Sequence, residues 1–479
     1  MRKDREQQKK EKVKQLELFK GPNRPAGQTQ GRTGRGVLSG VELSSRLESQ
    51  QTLTENALGA IVGYGNLSKA HQQVRRNGGS PGVDEMGVEA LGHWLGKNIE
   101  GFSLDVIEER YQVSAVRKVE IPKPDGGVRL LGIPTVKDRM LQQAISQVLG
   151  PHHDATFSES SFGFRPGKSA HQAIGQASIY IKSGKEWVVD LDLEKFFDKI
   201  NHDRPMQRLS KGIGDKRLPR LINSYLQAGV MSGGLVEQRT AGTPQGGPLS
   251  PLLSNIVLDE LDKELEKRGH SFCRYADDCN IYVRSKKAGE RVMASIADFM
   301  EQKLKLKVNR SKSGVRHCSE VKFLGHALLP EGQIRIADAS IKRLKDKVRE
   351  ITKRNRGVKF EQVIKELNPV IIGWTNYFRL ANRWLATLRD IDGWIRRRLR
   401  CYRLKQCGRK YTIFKFLRSL GIPENSSWNV VIYSQGWWSM TLKHATAKAM
   451  GINWFAQQGL RSILLRIEGK KLIETALVR

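Results

Sequence analysis

The tetrapeptide Tyr275-Ala-Asp-Asp278 constrains this chain more than any other feature. It sets two adjacent carboxylates between two short apolar runs, Ser271–Tyr275 and Cys279–Arg284, which read as the arms of a hairpin. Neighbouring carboxylates repel unless water solvates them well or a cation sits between them. Asp is a turn former, so a bare Asp-Asp pair is most often an exposed turn. Here the apolar arms on both sides weigh against that plain reading. A second strand, Glu186-Trp-Val-Val-Asp-Leu-Asp-Leu193, precedes it. Alternation puts Val189, Leu191 and Leu193 on one face and Asp190 and Asp192 on the other. With the apolar face in a core, both carboxylates look into a cleft. Three aspartates on two neighbouring strand ends are the minimum for two Mg²⁺ ions about 4 Å apart, which take few ligands from protein and the rest from phosphate and water.

Composition points to the partner. Among 479 residues, 82 are Lys or Arg and 49 are Asp or Glu, a net charge of +33. Such a balance fits a polyanion, nucleic acid first. The charge is uneven: residues 341–479 hold 30 basic and 9 acidic side chains, so the C-terminal third is the expected polyanion-binding surface. Composition by itself leaves a membrane-surface or acidic-protein binder open. No run approaches 18 apolar residues, so no membrane-spanning helix is expected, and with nucleic acid first no membrane partner is expected. The N-terminus lacks the apolar core of a signal peptide. The five cysteines form no CxxC pair and are odd in number, which fits a reducing compartment and no structural zinc.

The chain length allows about three domains. Residues 1–40 read as a flexible basic tail and 45–75 as helices. Residues 116–135 read strand, turn, strand, with Pro124-Asp-Gly-Gly127 as the turn. Lys137–Leu149 and Pro248–Leu265 have helical spacing, as do Val292, Ile296, Met300 and Leu304. Short strands are expected near 306–309, 321–328 and 333–337. Beyond 340 the pattern is helical. Trp384, Leu388, Ile391, Ile395, Leu399 and Tyr402 form one apolar stripe, first of all a core face. Arg396, Arg397, Arg398, Arg400 and Arg403 lie mostly off it, so that helix is expected to pack one face and present guanidinium groups on another.

Seven blocks, in order and at matching spacing, resemble those of reverse transcriptases. Tyr275-Ala-Asp-Asp278 resembles their YxDD box, and Asp192-Leu-Glu-Lys-Phe-Phe-Asp198 their first palm motif. Ile121–Pro134 resembles the fingers hairpin, Phe162-Gly-Phe-Arg-Pro-Gly167 the block after it, and Thr243-Pro-Gln-Gly-Gly-Pro-Leu-Ser-Pro251 the loop that opens the next palm helix. Asn309-Arg-Ser-Lys312 and Phe323-Leu-Gly325 resemble the last two. Asn77–Asp84 and Leu367–Phe378 resemble the N-terminal extension and the maturase segment of group II intron-encoded proteins. The resemblance covers about residues 50–440.

It implies an α+β fold: a right-hand polymerase, with fingers and an antiparallel palm sheet, followed by an α-helical thumb. The implied domains are a tail at 1–40, an N-terminal extension at 41–115, fingers at 116–185, palm at 186–335 and thumb or maturase domain at 336–440. Residues 441–479 would be a short tail, at most a rudimentary DNA-binding segment. Asp192, Asp277 and Asp278 would hold two Mg²⁺ ions. Lys123, Arg129, Gln245 and Lys312 would contact the dNTP, with Phe196 or Phe197 excluding a 2′-hydroxyl. Arg396, Arg397, Arg398, Arg400 and Arg403 would contact RNA. The implied activity is RNA-directed DNA synthesis from a DNA primer on an RNA template, joined to binding of group II intron RNA for splicing and mobility into target DNA. The expected setting is the bacterial cytoplasm, at the nucleoid when acting on DNA. The rival readings are a host-adopted reverse transcriptase in DNA repair or defence, a non-catalytic splicing factor, and an RNA-dependent RNA polymerase. The cleft carboxylates disfavour the splicing factor, and the Phe196-Phe197 pair disfavours the RNA polymerase. No paired cysteines of a zinc nuclease follow Cys407, so an independent DNA-cutting activity is not expected.

Overall fold

The computed structural model describes residues 56–464, apart from 123–126, 195, 197–201, 211–212, 233–234, 238–245 and 382–384. The expected basic tail, the 124–127 turn and the chain beyond 464 therefore lie wholly or mostly outside the described residues.

The described chain opens with α1 (Ala57–Val62), α2 (Tyr64–Asn77) and α3 (Leu91–Ile107). Asn56 caps α1 by accepting from Gly59 N at 3.0 Å. Then come β1 (Val116–Pro122), β2 (Val128–Ile133) and the long α4 (Val136–Asp154). Thr135 caps α4 through Asp138 N. Helix α5 (Ala170–Lys182) leads into β3 (Trp187–Leu191). Next are α6 (Asp203–Ser210), α7 (Arg217–Gln227), β4 (Val230–Ser232) and β5 (Leu235–Glu237). The palm continues with α8 (Ser250–Lys267), β6 (Ser271–Tyr275), β7 (Asp278–Val283), α9 (Lys286–Phe299) and β8 (Gly314–His317). Strands β9 (Lys322–Phe323), β10 (His326–Leu329) and β11 (Gln333–Ile336) form a small separate sheet.

The expected α+β architecture holds. The palm sheet is antiparallel, in the order β6-β7-β3-β8. One face packs Val189, Leu191, Phe272 and Ile281 against Val257 and Leu261 of α8, Ile296 of α9 and Met300 just after it. The other packs Val188, Cys273 and Tyr282 under Ala173, Ile174 and Ala177 of α5. Both faces are thus covered over part of their length, which alternation alone did not show.

Contiguous ranges for fingers and palm do not survive. Strand β4 pairs parallel with β1, and Leu209, Leu218, Ile222, Leu253 and Ile256 share a core with Leu58, Leu67, Met140 and Ile145. Part of the expected palm therefore belongs to the fingers layer. Helix α5, inside the expected fingers range, belongs to the palm. Burial of apolar surface ignores chain order, so each layer recruits whatever amphipathic face is near.

The C-terminal part is helical: α10 (Asp338–Ile351), α11 (Phe360–Tyr377), α12 (Leu385–Cys407), α13 (Lys410–Ser419), α14 (Glu424–Ile432), α15 (Trp437–Met440), α16 (His444–Ala449) and α17 (Ile452–Gln457). Leu388, Ile391, Ile395, Leu399 and Tyr402 are buried in one core with Leu344, Val363 and Ile371, as the stripe predicts. Met450, Phe455 and Ile463 lie in that same core. Asp392 accepts from Ser462 Oγ at 2.7 Å and Ile463 N at 3.1 Å. The expected tail from 441 is corrected accordingly: up to 464 it is thumb.

Candidate active site

The site grows from the register of β3 and β7. Asp190 pairs with Asn280 and Leu191 with Cys279, so the next position on each strand brings Asp192 opposite Asp278. On that face the palm sheet changes character along its length. Val188 and Tyr282 are roofed by α5, whereas Asp190, Asp192 and Asp278 stand where the roof ends and are part-exposed.

Asp192 is clasped from the Asn309–Ser313 turn. Its backbone N donates to Ser313 Oγ at 2.9 Å, its carbonyl accepts from Asn309 N at 2.8 Å, and its Oδ2 accepts from Asn309 Nδ2 at 3.0 Å. The block singled out at 309–312 thus acts through Asn309. Lys312 is exposed on the same turn, and its carbonyl accepts from Arg316 at 2.9 Å. Arg316 also reaches Asp190 Oδ2 at 2.9 Å. Burial pushes the Asp190 carboxyl up while that guanidinium pulls it down. Asp190 is therefore a paired carboxylate beside the cluster. Strand β8, which carries Arg316, was missed because Gly314-Val-Arg-His317 is too short to alternate convincingly.

Asp277 and Asp278 sit at the β6–β7 turn, where Tyr275 pairs with Asp278 and Ala276 takes φ +59°. Two neighbours hold this strained turn. Arg274, with no exposure, donates to Ala276 O at 2.9 Å, Asn255 Oδ1 at 2.9 Å, Ser161 Oγ at 2.8 Å and both carboxylate oxygens of Asp262. Burial pushes the Asp262 carboxyl up, but its bidentate partner never loses its proton, so the pair stays ionic. Gly163 lies flat against the turn: a Cβ there would stand 2.3 Å from Ala276 N. Sequence reading passed over Arg274. A charge among Phe272, Cys273 and Tyr275 was the signal.

The charge set tests the fit of a divalent ion. Asp278 is pushed up to about 7 by burial and by the charges of Asp190, Asp277 and Asp192. That mutual repulsion is what a bound cation relieves. Among the described residues no three His, Cys, Asp or Glu side chains already close on one point. Mg²⁺ ordinarily takes only one or two carboxylates from protein, so the residues fit the ion with phosphate and water as its other ligands.

Other expected site residues fall unevenly. Phe196 is 3% exposed and packs in the palm core with Leu191 and Leu258, so it does not line the cleft. Lys123, Phe197 and Gln245, and the side chain of Arg129, lie outside the described residues. Gly246, at φ +132°, and Gly247 do allow the close approach expected of that loop: a Cβ on Gly246 would meet Gly132 O at 2.9 Å.

The arginines of α12 are a correction. Arg396 pairs with Asp392 at 2.7 Å. Arg397 lies 4.0 Å over the Trp438 ring and donates to Thr441 Oγ1. Arg398 donates to Thr352 Oγ1, Arg400 to Met450 O, and Arg403 covers Phe416. Burial draws Arg400 down to about 10. These side chains staple the thumb together: the chain after 434 meets Arg397 and Arg400, and Asp392, Thr352 and Phe416 engage Arg396, Arg398 and Arg403. Lys342, Arg343, Lys347 and Lys353 of α10 and the loop after it remain exposed. Arg343 and Lys347 border an open cavity of about 470 Å³ with Leu324, Gly325, Trp374 and Tyr377.

Comparison with known proteins agrees with this geometry. Residues 121–328 match the reverse transcriptase (RNA-dependent DNA polymerase) family, and residues 341–420 match the group II intron maturase-specific domain. Protein YkfC of Escherichia coli (strain K12) is 32% identical over 289 residues, covering 52% of this chain and 76% of that protein. Group II intron-encoded protein LtrA of Lactococcus lactis subsp. cremoris is 27% identical over 306 residues, 48% of this chain and 51% of LtrA. The putative COX1/OXI3 intron 2 protein of Saccharomyces cerevisiae is 30% identical over 283 residues, 47% of this chain and 33% of that one. The chain thus spans about half of LtrA and a third of the yeast protein. It belongs to the reverse transcriptases of the group II intron maturase type. Nucleotidyl transfer in that family generally uses divalent metal ions.

Proposed function

We propose that this protein extends a DNA primer on an RNA template, and that its helical domain binds group II intron RNA to promote splicing and, with target DNA, mobility. One observation carries the polymerase reading: β3 and the β6–β7 turn bring Asp192, Asp277 and Asp278 to one unroofed sheet end. Two Mg²⁺ ions held there would lower the pKa of the primer 3′-hydroxyl and neutralise charge on the α-phosphate and leaving pyrophosphate. The chain's own part is positioning. Asn309 and Ser313 fix Asp192, and Arg274 fixes the turn that carries Asp277 and Asp278. Lys123, Arg129, Gln245 and Lys312 are assigned to the incoming dNTP. With Phe196 in the core, exclusion of a 2′-hydroxyl falls to Phe197.

Intron RNA binding is supported by the maturase-domain match. Phosphate contacts fall to the exposed cations Lys342, Arg343, Lys347 and Lys353 rather than to the arginines of α12. The deciding experiment is dNTP incorporation on an annealed RNA template and DNA primer with Mg²⁺, wild type beside Asp277→Ala. Extension by wild type and none by the variant, with RNA affinity kept, is expected. A folded wild type that binds RNA tightly but never extends the primer would leave only the splicing role.

A further inference from the structure

Beside the catalytic turn stands a residue whose backbone and exposure both run against its chemistry. Phe164 has φ +56°, in the left-handed region that bulky side chains avoid. The residue is 61% exposed. Both neighbours are pinned. Gly163 is pressed against the backbone of residues 275–276, and its carbonyl accepts from Asn255 Nδ2 at 2.8 Å. Arg165 is buried and donates to Asp154 Oδ1 at 2.6 Å and Ser161 O at 2.9 Å. Held from both sides, residue 164 cannot relax to an ordinary conformation. Its ring stands off the loop, 6.0 Å from the ring of Tyr275 and tilted 47° to it. Tyr275 opens the turn that carries Asp277 and Asp278, so the two rings border the site.

A loop that needed only this backbone shape would be more stable with Gly or Asn at 164. A large exposed ring kept on strained backbone is a mark of contact rather than of stability. Nucleotides offer flat apolar faces that stack on such rings. Of the nucleotides at the site, the primer's last one must bring its 3′-hydroxyl to the three carboxylates. We infer that Phe164, together with Tyr275, forms a shelf that receives the 3′-terminal nucleotide of the primer and sets where its hydroxyl lies. The inference rests on the polymerase reading. Phe164 is a positioning residue: it touches the primer, not the reacting atoms.

The test compares full-length wild type, Phe164→Gly and Phe164→Tyr in two assays. One is steady-state extension of a DNA primer on an RNA template with Mg²⁺. The other is fluorescence binding of that hybrid and of the template RNA alone. Glycine relieves the backbone, so the Phe164→Gly unfolding temperature is expected at or above that of wild type. Its KM for the hybrid is expected to rise on the order of tenfold, the loss of one stacked base. The KM for dNTP, the affinity for template alone and the salt slope of binding should not move, since no phosphate contact is lost. Phe164→Tyr should restore the hybrid KM. An unchanged hybrid KM in Phe164→Gly overturns the inference, as does an equal loss of affinity for template alone, which would place the ring on the template. If wild type extends no primer, the polymerase reading fails and binding decides the shelf alone. A hybrid-specific loss in Phe164→Gly supports it, and no loss overturns it.

Discussion

Arg274 gives its whole fork to buried acceptors on three segments: the 158–163 loop, α8 and the catalytic turn. Removing one partner of a buried, fully bonded ion pair strands the other charge. Arg274→Met is therefore expected to cost roughly 3–5 kcal/mol in urea unfolding. Arg274→Lys should not rescue it, because a single ammonium cannot reproduce the planar fork. Near-wild-type stability in Arg274→Met would remove Arg274 from this role. The residue scale is also where sequence reading was least even. Asp192, Asp277 and Asp278 were legible because carboxylates on an apolar strand end have few purposes. Phe196 and Phe197 were not separable, since adjacent side chains on one motif differ only in the direction the backbone turns them.

Elements decide how well those residues are held. The 158–165 loop lies against the β6–β7 turn because residue 163 has no side chain. Gly163→Ala must push Ala276 N back from a 2.3 Å contact. Overpacking of this kind costs about 1–3 kcal/mol, and here it displaces the catalytic turn. Single-turnover extension is expected to drop at least about tenfold, the factor that about 1.4 kcal/mol of lost transition-state stabilisation represents. Full activity in a folded Gly163→Ala protein would mean that the turn does not depend on the loop. Helix α12 teaches a different lesson. Arg397→Ala removes a cation stacked on Trp438 and a hydrogen bond to Thr441, so thumb stability should fall by about 1–3 kcal/mol. The salt slope of RNA binding should hold in that variant. Lys342→Ala should instead flatten the slope by about 0.7–0.9 log unit. Salt titration of both variants distinguishes a staple from a phosphate contact, and the opposite pattern would return the RNA surface to α12.

At the scale of the whole molecule, palm and thumb meet at His326. This β10 side chain has no exposure and packs on the rings of Tyr377 and Phe378 at the end of α11. Its Nδ1 stands 3.0 Å from Leu324 O. Burial pushes its pKa down to about 4. The folded value lies below the unfolded one near 6.5, so the neutral ring's contribution is complete above about pH 6.5. It is lost as pH falls toward 4, by up to about 3 kcal/mol. Urea unfolding across that window should show a smaller pH slope in His326→Asn than in wild type. Parallel slopes would mean that the ring is charged in the fold.

Order and spacing of short blocks were enough to determine the class of fold and the basic character of the C-terminal third, and to single out the aspartates proposed to be catalytic. Those properties follow from local chemistry: alternation, turn formers and charge density can be read along the chain. The tertiary structure alone decided which layer each segment joins, that 441–464 belongs to the thumb, and that the off-stripe arginines of α12 face protein. It also decided that Arg274 and Gly163 hold the turn of Asp277 and Asp278. Each of these depends on which surface lies opposite a side chain, and a residue's own neighbours in sequence carry no record of that.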